Sequence, residues 1–222
     1  MTPRRVLLFS LIPLLASCQM FQSSAPAPKR AADRLQGEVA LVDGQLLFRP
    51  CGEQRRFLII DEGASGFEQD ARGLGADHGA SLFADLRGNL GSSEVRGVDG
   101  QLSLDRLYRL QGEGHGCEDP NFKRQLLRAS GHEPGWTLSI NNQGMLLERP
   151  GQPAQALPYL EETLPEGGTN FSSEANAQRI ELWVAPQRCV DSASGTVSHL
   201  SAQLRLDDQV LRGCAYHGGA RP

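Results

Sequence analysis

Few side chains in this chain are spaced for chemistry. His132-Glu133 and Asp191-Ser192 supply an imidazole, two carboxylates and a hydroxyl, the parts of acid–base or nucleophilic catalysis. The histidines are scattered, at 78, 115, 132, 199 and 217. No Gly-x-Ser-x-Gly elbow, His-Glu-x-x-His pair or phosphate-binding loop accompanies them. Glu133, before Pro134, reads more simply as a strand-entry residue whose carboxylate bonds local amides. No catalytic residue is assigned, and a non-enzymatic protein is expected. His115-Gly116-Cys117-Glu118-Asp119 mixes soft and hard ligands, with no second ligand pair nearby and no Cys-x-x-Cys in the chain. It reads as a surface loop ending in a disulfide, so neither a metal nor another cofactor is expected.

The remaining chemistry belongs to cysteine. Arg4 and Arg5 start a leader, and Val6 to Leu15 is almost continuously apolar. A run of about ten residues covers only ~15 Å as a helix, too short to span a bilayer stably. Leu15-Ala16-Ser17-Cys18 ends it and resembles a bacterial lipobox at all four positions. That resemblance implies a signal peptide over 1–17, cleavage before Cys18, and acyl chains such as palmitate on Cys18. The competing reading is an ordinary secretory signal with a chance cysteine. Two or more chains anchor stably where one does not. Gln19, where Asp would favour retention in the inner membrane, implies the outer membrane with the protein facing the periplasm. Residues 18–35 then form the anchor and a flexible tether, because Gln22 to Pro28 is small, polar and proline-rich.

Export makes the other four cysteines a disulfide framework. Three pairings exist for Cys51, Cys117, Cys189 and Cys214. Cys51–Cys117 and Cys189–Cys214 are preferred, because each then falls inside one of two regions. The formal net charge is −4, which argues against nucleic acid and against a polybasic membrane patch. Short alternating apolar runs between Gly, Pro and Asn-Asp clusters imply an all-β chain with two small antiparallel barrel-like domains.

The first domain, 36–124, begins with a strand from Gly37, an Asp43-Gly44 hairpin turn and a return through Leu46 and Phe48. Phe57-Leu58-Ile59-Ile60 is continuously apolar and reads as buried on both faces. A short helix around 67–72, a strand from Ser81 and a last strand from Gln101 to Gln111 complete a barrel of the OB type, with Tyr108 and Leu110 pointing inward. In the second domain, 125–222, Trp136, Leu138 and Ile140 alternate, as do Ile180, Leu182 and Val184, and Leu200 to Leu206. The stretch 159–177 reads as polar and irregular.

Asp43 to Gly52, followed by the strand at Phe57, resembles the N-terminal β-barrel of NlpE-like envelope lipoproteins. Gly131-His132-Glu133-Pro134-Gly135-Trp136, Cys189-Val190-Asp191-Ser192-Ala193-Ser194-Gly195 and Gly213-Cys214-Ala215 resemble a family of uncharacterised bacterial envelope lipoproteins. Gly135 and Ala193 stand where that family has Phe and Met. The C-terminal region is also similar to META-type domains and membrane-bound lysozyme inhibitors. By that likeness Asp191, Ser192, Ser194 and Gly195 form a binding loop, although the inhibitors' following Tyr is missing: Thr196, Val197 and Ser198 stand there. The expected role is a non-catalytic binding or maintenance module of the envelope. Its expected partners are the membrane through the lipid and an envelope protein, peptidoglycan or lysozyme. Lysozyme inhibition and envelope-stress sensing are the alternatives.

Overall fold

The computed structural model describes residues 31–175 and 177–220, so the expected leader, Cys18 and most of the expected tether lie outside the described residues. Strand β1 (Asp33–Val42) turns at Asp43-Gly44 into β2 (Gln45–Pro50). Both turn residues have positive φ, 50° and 77°, the geometry a two-residue hairpin demands. Then follow β3 (Phe57–Ile60), helix α1 (Phe67–Gly73), β4 (Leu82–Gly91) and β5 (Gly100–Gln111). β1 pairs with both β2 and β4, while β3 runs parallel to β5, and so the sheet closes in the order β1-β2-β3-β5-β4. This is a closed five-stranded barrel of the OB type. Val39, Phe48, Leu82, Leu86, Leu102 and Leu110 fill it, and α1 adds Phe67 and Ala71.

Three local expectations are corrected. β1 starts at Asp33, inside the expected tether, because Arg34 and Leu35 find partners on β4 at Arg87 and Leu86. In β3 only Phe57 is buried, since a barrel has one interior face. Tyr108 leaves the barrel interior: β5 bulges against β4 there, and the ring turns toward the second half of the chain.

That half forms a curled antiparallel sheet from β6 (Leu127–His132), β7 (Gly135–Asn141), β8 (Gly144–Glu148), β9 (Gln155–Leu157), β10 (Leu160–Thr163), β11 (Thr169–Ala175), β12 (Gln178–Ala185), β15 (Leu200–Leu206) and β16 (Gln209–His217). Its order is β10-β11-β12-β15-β16-β6-β7-β8-β9. Its core holds Trp136, Leu138, Ile140, Phe171, Leu182 and Leu204. The expected irregular stretch contains β10 and β11. β10 is exposed at every position, and its form comes from backbone pairing with β11, where Phe171 alone is large and fully buried. At Gly213 a Cβ would meet the Ser130 carbonyl at 1.9 Å, so only glycine admits the close approach of β16 to β6. Among the described residues no helix is long and apolar enough to cross a membrane.

Two short strands, β13 (Cys189–Val190) and β14 (Val197–Ser198), leave the second half and join the first sheet. β14 pairs with β5, Val197 opposite Leu110 and Ser198 opposite Arg109. Val197 lies in the barrel core. Residues 189–198 therefore act as a strap across the expected boundary at 124/125, and both halves belong to one compact unit.

A buried charge pair joins them as well. The Arg34 guanidinium donates through Nε and Nη2 to the two Asp85 carboxylate oxygens, at 2.9 and 2.7 Å. It also donates to the carbonyls of Gly218 and His217, at 2.8 and 2.6 Å, and lies over the rings of Tyr108 and Phe122. The Asp85 side chain is fully buried. Removing one member of such a pair leaves an uncompensated charge, whereas removing both is far milder. Arg34→Met is expected to cost about 3–5 kcal/mol in urea unfolding, and Arg34→Met with Asp85→Leu to recover much of it.

His199 packs edge-on against Tyr108 at this junction, its Nδ1 2.9 Å from the Tyr108 carbonyl oxygen. Burial pushes its pKa down from 6.5 to about 4, aided by the positive charges of His217, Arg34 and Arg106 and opposed by the bond to Tyr108. The unfolded chain thus binds more protons between those values. The contribution of His199 is complete above the unfolded pKa and is lost as pH falls toward the folded one. About 3 kcal/mol of stability is expected to disappear across that window. His199→Asn, which keeps an N–H for Tyr108 but does not titrate, is expected to flatten this part of the pH profile of urea midpoints.

Candidate functional site

Strand alternation sets two faces on the curled sheet. Ile180, Leu182 and Val184 of β12 enter the core with Leu200, Ala202 and Leu204 of β15. Their neighbours Trp183, Ser201 and Gln203, with Arg212 and Cys214 of β16, face the other way. They floor a groove of about 1310 Å³. The turn from Leu164 to Gly168 forms one wall, and strap residues Gln187 to Ser192 form the other.

Trp183 is half-buried, and its indole N–H donates to Glu181 Oε2 at 3.4 Å. Arg179 donates to Glu181 Oε1 through Nε and Nη2, at 3.1 and 2.7 Å. These bonds from Arg179 hold the Glu181 carboxyl below its ordinary value, against the opposing effect of burial. The Arg205 guanidinium lies 5.7 Å from the Trp183 ring centroid. An indole face, an amide and guanidinium groups thus lie side by side. That mixture stacks on apolar surface and hydrogen-bonds to hydroxyls, amides or carboxylates.

The strap is fixed at several points. Cys189 bonds to Cys214 on β16, and Arg188 pairs with Asp70 on α1. Asp191, 8% exposed, receives the N–H groups of Ala193 and Ser194 and the Ser194 hydroxyl on Oδ1, at 3.1, 2.8 and 2.9 Å. Its Oδ2 is 2.9 Å from His132 Nε2. Burial pushes the Asp191 carboxyl up, but the Ser194 and Ala193 bonds outweigh it, with help from His132, and hold it low.

His132, Asp191 and Ser194 are therefore in contact, but in the order His–Asp–Ser. A nucleophilic serine needs the imidazole next to its hydroxyl. Here the hydroxyl bonds a carboxylate of lowered pKa, which is a poor base, and the imidazole is bonded to that same carboxylate rather than to the hydroxyl.

The structure forms both preferred disulfides, Cys51–Cys117 and Cys189–Cys214. It brings Asp191, Ser194 and Gly195 together in one tight loop, with the side chain of Asp191 turned inward and Ser192 exposed. Among the described residues no group of three His, Cys, Asp or Glu is arranged around a metal position. Trp183 and Arg109 were not singled out by sequence. Trp183 was legible, because it is out of phase with Ile180, Leu182 and Val184. Arg109 carried no signal, because a cation between Tyr108 and Leu110 reads as a solvated outward residue. No known family model matches this chain, and no curated protein or solved structure matches it either.

The strap is expected to hold the groove wall. Replacing Cys189 and Cys214 together by Ala releases a loop with a sequence separation of 25, worth about 3 kcal/mol by loop-closure entropy. Chemical unfolding measures that loss, and amide exchange is expected to accelerate first within 189–198.

Proposed function

We propose that the chain is a lipid-anchored envelope protein of the outer membrane, held through Cys18, whose folded part is a non-catalytic binding module. The groove beside Trp183 carries this reading. Its floor is sheet and its wall is clipped by a disulfide, so little ordering is needed when a ligand binds. An open groove of that size, lined by an indole, amides and guanidinium groups, suits an extended glycan strand or peptide segment of the envelope. The three segments that resemble envelope lipoproteins meet at its rim: Gly131–Trp136, Cys189–Gly195 and Gly213–Ala215 are linked by the Cys189–Cys214 bond and the His132–Asp191 contact.

Lysozyme inhibition draws less support, because Asp191 and Ser194 spend their hydrogen bonds inside the loop. Redox sensing through Cys189–Cys214 draws less as well, because Cys214 is buried, 7% exposed, and a sensing role would fall to Cys51–Cys117, where Cys117 is exposed.

Photo-crosslinkers placed one at a time at Gln203 in the groove and at Val42 on the barrel hairpin test the proposal in intact envelopes. Gln203 is expected to capture one dominant envelope component, peptidoglycan or protein. Trp183→Ala is expected to reduce its yield about tenfold, a change equivalent to ~1.4 kcal/mol. Equal capture from both positions, insensitive to Trp183, overturns the reading.

A further inference from the structure

A second cavity, of about 300 Å³, lies where the barrel, the curled sheet and the strap meet. It shares only His132, Asp191 and Cys214 with the groove. Arg109 of β5 lines it and is 4% exposed. Its guanidinium carbon is 4.9 Å from the Phe83 ring centroid and 4.0 Å from that of Tyr216. Its Nε and Nη2 are sealed from solvent and have no hydrogen-bond partner among the described residues. Ring contacts favour a cation there, but they supply no acceptor.

The nearby carboxylates do not neutralise it. Asp85 is the cross-strand neighbour of Arg109, yet both its oxygens are held by Arg34. Asp191 is committed to Ala193, Ser194 and His132. Asp119 accepts the Asn121 N–H on Oδ1, at 3.0 Å, and forms no ion pair with Arg109. A buried guanidinium without a counter-ion is costly. The cavity beside it is also lined by Ser130, Thr196, Ser198 and Tyr216, while the Ser194 hydroxyl is bonded to Asp191. Burial raises the Tyr216 pKa, so its phenol stays protonated and able to donate.

We propose that this cavity binds the oxyanion group of a small ligand, a carboxylate or a phosphate, against Arg109. The planar fork of a guanidinium donates two parallel N–H bonds to either group. In the structure Nε and Nη2 are sealed, so binding requires the side-chain torsions of Arg109 to turn the fork toward the cavity that it lines. The hydroxyls and the Tyr216 phenol supply the remaining donors. The cavity admits the anionic group with a short chain attached, but not a polymer. The site is independent of the groove reading, because Arg109 is not in the groove.

Titration calorimetry and thermal unfolding of the full lipoprotein in detergent test it. Sodium acetate and sodium phosphate are titrated at constant ionic strength against chloride. At least one is expected to bind saturably and raise the melting temperature. Acetate alone marks a carboxylate ligand, and phosphate alone a phosphate ligand. Arg109→Met is expected to weaken binding at least tenfold while melting no lower than the wild type in chloride, since it removes an unpaired buried charge. Where Arg109→Met fails to fold, Arg109→Lys, which keeps the charge but loses the fork, is expected to bind several-fold more weakly. A wild type that binds neither anion overturns the proposal. So does saturable binding that persists unchanged in the Arg109 variants. Capture from Gln203 in the groove is expected to be unaffected by these variants.

Discussion

The association of the two sheets depends on one cation. Arg34 sits on the first strand and reaches Asp85 within the barrel and the carbonyls of His217 and Gly218 at the end of the last strand. It thereby ties the first described strand to the last. A buried carboxylate and two chain-end carbonyls all need donors, and a single planar guanidinium supplies them while stacking on Tyr108 and Phe122. The barrel could close without this contact, but the curled sheet would then be held beside it only by the strap and by the packing of His199 on Tyr108.

The strap from Cys189 to Ser198 adds a covalent and hydrogen-bonded tie. It is part of the barrel by pairing with β5, and it is tied to the curled sheet by the Cys189–Cys214 bond. Asp191 shapes its turn by collecting two backbone N–H groups and a hydroxyl. The same strap bounds both cavities. On one side it walls the open groove beside Trp183. On the other it helps enclose the small polar pocket at Arg109. The segment read from sequence as a binding loop thus borders both the groove and the pocket.

Much of the fold was legible in residue order. The Asp43-Gly44 hairpin followed from turn chemistry. The inward faces of β7, β12 and β15 followed from alternation at Trp136, Leu138 and Ile140, at Ile180, Leu182 and Val184, and along Leu200 to Leu206. The pairing of Cys51 with Cys117 and of Cys189 with Cys214 followed from their distribution between two regions. What escaped were features without a local signal. β10 is exposed throughout and is a strand only because β11 offers it a ladder. Tyr108 left the barrel interior through a bulge, which shifts the two-residue period by one.

The sequence by itself determined the all-β class, the succession of the barrel strands along the chain and most of the core-facing residues. Each of these rests on local geometry or on a period of two along the chain. Only the tertiary structure decided that two outwardly similar cations are covered at the meeting of the sheets, Arg109 fully and Arg34 in part. It also decided that Arg34 pairs with a carboxylate, whereas Arg109 pairs with none among the described residues. Burial of an outward strand face depends on what another sheet, far away in the chain, lays over it. No pattern within a strand records that.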